Sequence, residues 1–97
     1  MPKAYWINTF TAIHDEDKLA AYVRLAGPAM TAAGGRFLAR GTPAAAFESG
    51  TTTRTSLLEF PSVEAAIAAY HSPAYQEALR VLAGGAERDI RVIEAVD

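Results

Sequence analysis

Apolar residues follow a two-residue period in some segments of the chain and a helical period in others. Residues 4–10 and 52–60 are rich in aromatic and β-branched side chains, and residues 89–96 are rich in isoleucine and valine. These features predict β-strands. An amphipathic helix is predicted between the first two of these strands, where apolar side chains recur every three or four positions, at Leu19, Tyr22, Val23, Ala26, Met30 and Ala33.

Two adjacent glycines, Gly34 and Gly35, predict where the first helix ends. A glycine just past a helix adopts the left-handed backbone conformation without a steric penalty. A short strand is predicted to begin at once, over residues 36–41. Inside the helix, Gly27 and Pro28 predict a kink or a brief break, because proline lacks an N–H and its ring collides with the preceding turn.

The last helical region is predicted to be in two pieces. Ser62 is placed as the N-cap of the first piece, and Ser72 followed by Pro73 begins the second, which ends at Gly84. The order βαββαβ then predicts an α+β fold: a ferredoxin-like antiparallel sheet with the helices on one face, in a single domain over residues 1–97.

The predicted strands are apolar on both sides, which predicts that a second chain covers the sheet. Trp6 and Phe10 alternate with Tyr5 and Ile7 on the first strand. Burying one side chain of this size stabilises a fold by about 1.5–3 kcal/mol, which is a large share of the roughly 5–15 kcal/mol available to a small domain. We therefore expect a homodimer with its sheets packed face to face, forming a dimeric α+β barrel.

Charge and composition exclude several classes of partner. The formal net charge is -2 and the nine basic residues are scattered along the chain, so neither nucleic acid nor an anionic membrane is an expected partner. There is no cysteine and no signal-like N-terminus, which predicts a cytoplasmic protein. His14 and His71 are not spaced as metal ligands, so neither a metal nor another cofactor is expected.

Charged residues on the predicted strands are the first candidates for a site. Strict alternation places Arg36 and Arg40 on one strand face, and Glu59 and Glu94 are assigned with them to the barrel interior, because a face packed under helices is expected to be purely apolar. One interpretation is an anion-binding pocket, to which Arg54 also contributes. The other, more frequent in proteins, is a set of salt bridges within the dimer.

A second candidate lies at the junction of the two last helical pieces. His71 precedes Ser72 and is flanked by Tyr70 and Tyr75. A histidine with a pKa near neutrality is suited to act as a general base, and aromatic neighbours are suited to line an apolar pocket. Both tyrosines also fall on the apolar stripes of their helices, where they would serve as ordinary core residues.

Several short motifs resemble the consensus of a domain-of-unknown-function family, number thirteen-thirty. They are Gly27-Pro28, Gly34-Gly35-Arg36-Phe37-Leu38-Ala39-Arg40-Gly41, Arg54, Glu59-Phe60-Pro61-Ser62 and Ser72-Pro73-Ala74-Tyr75. The resemblance spans almost the whole chain. It implies the dimeric α+β barrel architecture shared with cofactor-free monooxygenases, haem-degrading enzymes and stress-responsive barrel proteins, and no settled activity. The chain departs from the family pattern at Thr42, where a glycine is common, and at His71, where an asparagine is common.

Two functions remain open at this point. The first is a cofactor-independent enzyme acting on a small apolar or aromatic acid, with Arg36 or Arg54 orienting the substrate and His71 moving protons. The second is a non-catalytic homodimeric protein that binds a small molecule or takes part in a stress response. An RNA-recognition motif has the same element order, but the residues from Arg54 to Phe60 lack its exposed aromatic pattern.

Overall fold

The computed structural model describes residues 2–96, which form seven regular elements. In chain order they are β1 (Ala4–Ile13), α1 (Glu16–Ala32), β2 (Arg36–Gly41), β3 (Thr55–Phe60), α2 (Val63–His71), α3 (Pro73–Leu82) and β4 (Ala86–Glu94). All strand pairs are antiparallel, and the sheet order is β2-β3-β1-β4. The predicted ferredoxin-like α+β fold is therefore confirmed. No helix within residues 2–96 has both the length and the apolar character needed to cross a membrane.

The predicted helix boundaries are largely confirmed, with one correction. The Ser62 hydroxyl accepts a hydrogen bond from Ala65 N at the start of α2, and Ser72 separates α2 from α3 and caps α3. α1 is not broken at Pro28 but continues to Ala32. A proline removes only one hydrogen bond, and the apolar face of α1 stays packed on the sheet on both sides of it.

The core lies between the sheet and the helices. Alternate residues of β1 and β3 are buried there, and small alanines on α2 let this helix approach the sheet closely, whereas α3 packs mainly on α1. Gly35 is required at the junction of α1 and β2, because a Cβ there would lie 2.7 Å from the ring of the buried Phe60. The buried apolar side chains include Trp6, Phe10, Tyr22, Met30, Leu58, Phe60, Ala66, Ala69, Tyr75 and Ala78.

The strand β2 contains a β-bulge that changes which face its arginines occupy. Arg36 lies opposite Glu59, but the register shifts after Phe37, and Arg40 lies opposite the buried Ser56. Arg36 is therefore on the open face of the sheet, whereas Arg40 is on the face that the helices cover. The prediction that the two arginines share a face is wrong, because a bulge inserts one extra residue, here Leu38, and breaks the two-residue period.

Glu94 was also placed on the wrong face by alternation. It lies opposite Ala4, which is completely buried on the helix side. The premise of that prediction also fails, because the helix-covered face is not purely apolar. Asn8 and Ser56 are buried on it, and Arg88, opposite Phe10, belongs to it as well.

The opposite face of the sheet is open. Tyr5, Ile7 and Leu57 on this face are half-buried, and Ile93 is 57% exposed. The domain is a slab of 38 × 35 × 16 Å. Its accessible surface of 5947 Å² exceeds the roughly 5,400 Å² expected of a compact monomer of this mass. One sheet face, which carries apolar side chains among charged ones, thus lacks a covering layer within residues 2–96.

Candidate functional site

A small cavity, here called the inner cavity, lies between the helices and the sheet. Its volume is about 40 Å³, enough for one polar group of a ligand. α1 contributes Tyr22 and Gly27 to its lining, and a Cβ at Gly27 would meet no atom within 4 Å. The other lining residues, from the sheet, from the loop before β3 and from α3, include Trp6, Asn8, Phe10, Arg40, Arg54, Ser56, Leu58 and Tyr75.

Asn8 gives the inner cavity an unusual polar feature. The residue is only 5% exposed, and its Oδ1 atom has no hydrogen-bond partner among residues 2–96. The sheet register places it in one row with Ser56 of β3 and Arg40 of β2, all on the helix side. A buried acceptor left without any partner costs about 1–3 kcal/mol, so Oδ1 is expected to accept a hydrogen bond from a group outside residues 2–96, a water or part of a ligand.

Two arginines without acidic partners complete the lining. Arg40 stacks on the ring of Phe37, with its guanidinium carbon 4.6 Å from the ring centre. Arg54 is half-buried, and its backbone carbonyl accepts a hydrogen bond from Phe10 N. Neither arginine forms an ion pair within the described part of the chain, and the lining contains no Asp or Glu. The cavity is therefore electropositive.

A hydrogen-bonded cluster of two phenols and one guanidinium stands beside this cavity. The hydroxyl oxygens of Tyr22 on α1 and Tyr75 on α3 are 2.7 Å apart. Nη1 of Arg88 on β4 donates to both, at 2.8 Å to Tyr22 and 3.0 Å to Tyr75. One phenol proton lies between the two oxygens. The other phenol proton has no acceptor within residues 2–96, so the cluster retains one free O–H donor.

Burial and the contacts within the cluster together set the charges of Tyr22 and Arg88. It raises the pKa of Tyr22 above its ordinary value, with a further increase from Tyr75, and these effects outweigh the lowering by Arg88. Burial alone would lower the pKa of Arg88, but the interactions with Tyr22 and Tyr75 outweigh it and the pKa is raised. At neutral pH the cluster therefore contains a neutral Tyr22 phenol and a permanent cation.

A larger space, here called the outer groove, opens on the other side of Arg88. Its volume is about 540 Å³, within the usual range for small-molecule sites. Arg88 supplies its only charged side chain and has no acidic partner within residues 2–96. Trp6 lines both spaces, so they are adjacent. The other lining residues are Ile67, Tyr70, Ala86, Ile90 and Val92.

The structure separates the residues that the sequence suggested. Tyr75, Arg40 and Arg54 all line the inner cavity. Arg36 and Glu59 instead form an ion pair of 2.8 Å on the open face of the sheet, and Lys3 also contacts Glu59, at 2.7 Å. The hydrogen bonds from Lys3 and then Arg36 lower the pKa of Glu59.

The two histidines lie outside both spaces. His71 is exposed at the end of α2, where its ring packs edge-on against Tyr70 with the ring centres 5.3 Å apart. His14 contacts Glu87 at the surface, with 2.7 Å between the ring nitrogen and the carboxylate. No group of histidines and acids among residues 2–96 is arranged to hold a metal ion. A catalytic role for His71 stays a prediction.

Sequence reasoning assigned no site role to three residues that the structure places in these sites. Asn8 was visible as a polar residue at an apolar position of β1, which is the available signal for it. Tyr22 appeared only as part of an apolar helix stripe. Arg88 was missed because β4 begins at Ala86, three residues before the predicted start at Asp89, so no strand face was assigned to it.

Comparison with known proteins supports the fold and identifies a family. A model described as "Domain of unknown function (DUF1330)" matches residues 3–96. A protein of unknown function from Rhodopseudomonas palustris is similar in structure, with a TM-score of 0.77, 17% identity, and coverage of 99% of this chain and 84% of that one. No curated protein matches.

Two further solved structures are similar to this chain. SnoaB from Streptomyces nogalater, described as a cofactor-independent oxygenase, has a TM-score of 0.70 and 11% identity, with coverage of 100% and 96% of the two chains. A dimeric ferredoxin-like protein of unknown function from Thermobifida fusca has a TM-score of 0.66 and 15% identity, with coverage of 97% and 92%. At these identities the likeness shows the fold alone.

Proposed function

We propose that this chain, which belongs to the DUF1330 family, forms a homodimer that binds a small apolar or aromatic acid in the outer groove. The observation that carries the proposal is the placement of Arg88. This cation is half-buried in a groove whose other lining side chains are apolar or aromatic, and it has no acidic partner within residues 2–96. A partly buried cation favours a counter-ion, and a ligand carboxylate would supply it.

The walls of the groove suit a flat apolar ligand. The half-buried Tyr70 ring offers aromatic surface, and it packs beside the buried Trp6 ring with the ring centres 6.0 Å apart. Tyr22 and Tyr75 hold Arg88 from behind, so its position is set by buried groups on two helices. The acid of the ligand would meet the guanidinium while its apolar body packs on the aromatic rings.

Catalysis is the second question for the same site. Neither lining contains an Asp, Glu or His that could serve as a general base. The Arg88 guanidinium would instead stabilise an anion formed on an acidic substrate. That chemistry suits a cofactor-independent enzyme, the description carried by SnoaB. The absence of a base among the lining residues favours the alternative, a non-catalytic small-molecule-binding or stress-related protein. Proton transfer by His71 remains a prediction for the enzymatic case.

Fluorescence of Trp6 tests the binding proposal, because it is the only tryptophan and lines the groove. Titration with 1-naphthoate is expected to quench it saturably. Arg88→Met should weaken binding at least tenfold, since it removes the charge and keeps most of the side-chain length. Arg80→Met is the matched control, because Arg80 is exposed and pairs with Glu77 on α3. Equal affinities of the two variants would refute the site.

Recovery of the bound naphthoate separates an enzyme from a binding protein. After aerobic incubation, mass spectrometry that finds only unchanged 1-naphthoate would favour simple binding of this compound. Conversion of 1-naphthoate that His71→Ala leaves intact would remove that residue from the mechanism.

The cytoplasmic location and the absence of nucleic-acid partners also stay predictions.

The homodimer rests on the open face of the sheet, where Ile7, Leu57 and Ile93 lack cover, and the description of the Thermobifida fusca protein as dimeric supports it. Light scattering is expected to give twice the chain mass. Ile93→Lys should yield monomers, because Ile93 is 57% exposed on the open face. Leu25→Lys is the control, since Leu25 is 39% exposed on α1, away from that face. A monomeric wild-type protein at micromolar concentration would overturn this part of the proposal.

A further inference from the structure

The inner cavity has the features of a binding site that is separate from the outer groove. Asn8 is more than nine-tenths buried, lines the cavity, and has an Oδ1 atom without a partner among residues 2–96. An amide oxygen accepts hydrogen bonds and cannot donate them. The group that satisfies it must therefore carry an O–H or N–H donor.

The cavity volume sets the size of that group. About 40 Å³ admits a hydroxyl or an amino group but not a whole ring. Ser56, which is 7% exposed, lies directly opposite Asn8 and lines the same space. The buried end of the cavity, at Asn8 and Ser56, thus suits a single hydroxyl. The body of a ligand would lie at the other end, near the arginines.

The arginines define the other end of the ligand. Arg40 lies opposite Ser56 on the next strand, so two strand spacings, roughly 10 Å in total, separate the backbones of Asn8 and Arg40. Arg54 lines the same cavity, and neither guanidinium has an acidic partner within the described residues. A carboxylate is the complementary group at this end.

We propose that the inner cavity binds the hydroxyl end of a hydroxylated carboxylic acid, whose body and carboxylate lie at the open mouth of the cavity, where Arg40 is exposed. The hydroxyl donates to Asn8 Oδ1 and the carboxylate contacts Arg40 and Arg54. Asn8 is the residue that determines specificity, because an acid without the hydroxyl leaves its acceptor unsatisfied. This inference does not rest on the function proposed for the outer groove, since the two sites use different cations.

A matched pair of ligands tests this site in the intact protein. 4-Hydroxybenzoate carries the hydroxyl and benzoate lacks it, and binding of each is measured by calorimetry and by Trp6 fluorescence. We expect 4-hydroxybenzoate to bind at least tenfold more tightly. Asn8→Leu should abolish this preference, and Arg54→Met should weaken both ligands at least fivefold. Arg24→Met is the control, because Arg24 is exposed on α1 and has no ion pair within residues 2–96.

The results distinguish this proposal from the one for the outer groove. Arg88→Met should weaken naphthoate binding and leave the preference for 4-hydroxybenzoate intact. Equal binding of the two benzoates by the wild-type protein would overturn the inner site, and so would a preference that survives Asn8→Leu. If Asn8→Leu fails to fold by circular dichroism, 4-methoxybenzoate replaces the variant, because its ether cannot donate and it should bind no better than benzoate.

Discussion

The hydroxyl group of Tyr75 provides the sharpest test of the buried cluster. Tyr75 is fully buried, and its oxygen contacts Tyr22 at 2.7 Å and Arg88 at 3.0 Å. Tyr75→Phe removes both hydrogen bonds and keeps the ring that packs against Trp6, with ring centres 5.6 Å apart. The bond between Arg88 and Tyr22, at 2.8 Å, remains.

The expected loss follows from the kinds of hydrogen bond removed. A hydrogen bond to a charged group contributes about 1.5–3 kcal/mol and a neutral one about 0.5–1.5 kcal/mol. We take the lower end of each range, because Tyr22 and Arg88 still satisfy each other after the change. Tyr75→Phe should therefore lower the free energy of unfolding by about 2 kcal/mol, which moves the urea midpoint down by roughly 1–2 M.

Tyr70→Phe is the matched control. The Tyr70 ring packs beside the same tryptophan, but its hydroxyl makes no hydrogen bond within residues 2–96, so its removal should cost less than about 0.5 kcal/mol. Both variants are unfolded in urea at the same chain concentration, since the stability of a dimer depends on concentration. If Tyr75→Phe and Tyr70→Phe lose the same stability, the hydrogen bonds of the cluster do not stabilise the fold as we argue.

Two further predictions concern a pair of glycines and one carboxylate. Gly35→Ala should destabilise the protein by at least about 2 kcal/mol, because its Cβ would lie 2.7 Å from the buried Phe60 ring. Gly27→Ala should stabilise it by about 0.5–1 kcal/mol, because Gly27 lies inside a helix and the added Cβ would meet no atom within 4 Å. Thermal unfolding that ranks the two variants in the opposite order would contradict this. Hydrogen bonds, first from Lys3, lower the pKa of Glu59, so its contribution to stability is present above the ordinary pKa of about 4.5 and is lost as the pH falls through the lowered value. Urea unfolding from pH 7 to pH 3 should show the advantage of wild type over Glu59→Gln shrinking with acidity, and a constant difference would contradict the assignment.

The helix signals in the sequence were reliable because they are local. Ser62, Ser72 and Gly34 act on the backbone within a few residues, and the structure places a helix end at or beside each of them. Strand faces were less reliable, because alternation holds only while the register is unbroken. The bulge at Leu38 moved Arg40 to the helix side, and a late predicted start of β4 hid Arg88.

The element order, the ferredoxin-like topology and the excess of apolar strand residues are predictable from the residues alone, because they follow from short-range periods and caps. The grouping of Tyr22, Tyr75 and Arg88 arises in the folded chain, from positions up to 66 residues apart. The tertiary structure also showed Asn8 to be buried without a partner. Such convergence depends on strand register and on how helices pack over the sheet, and no local pattern of residues encodes either.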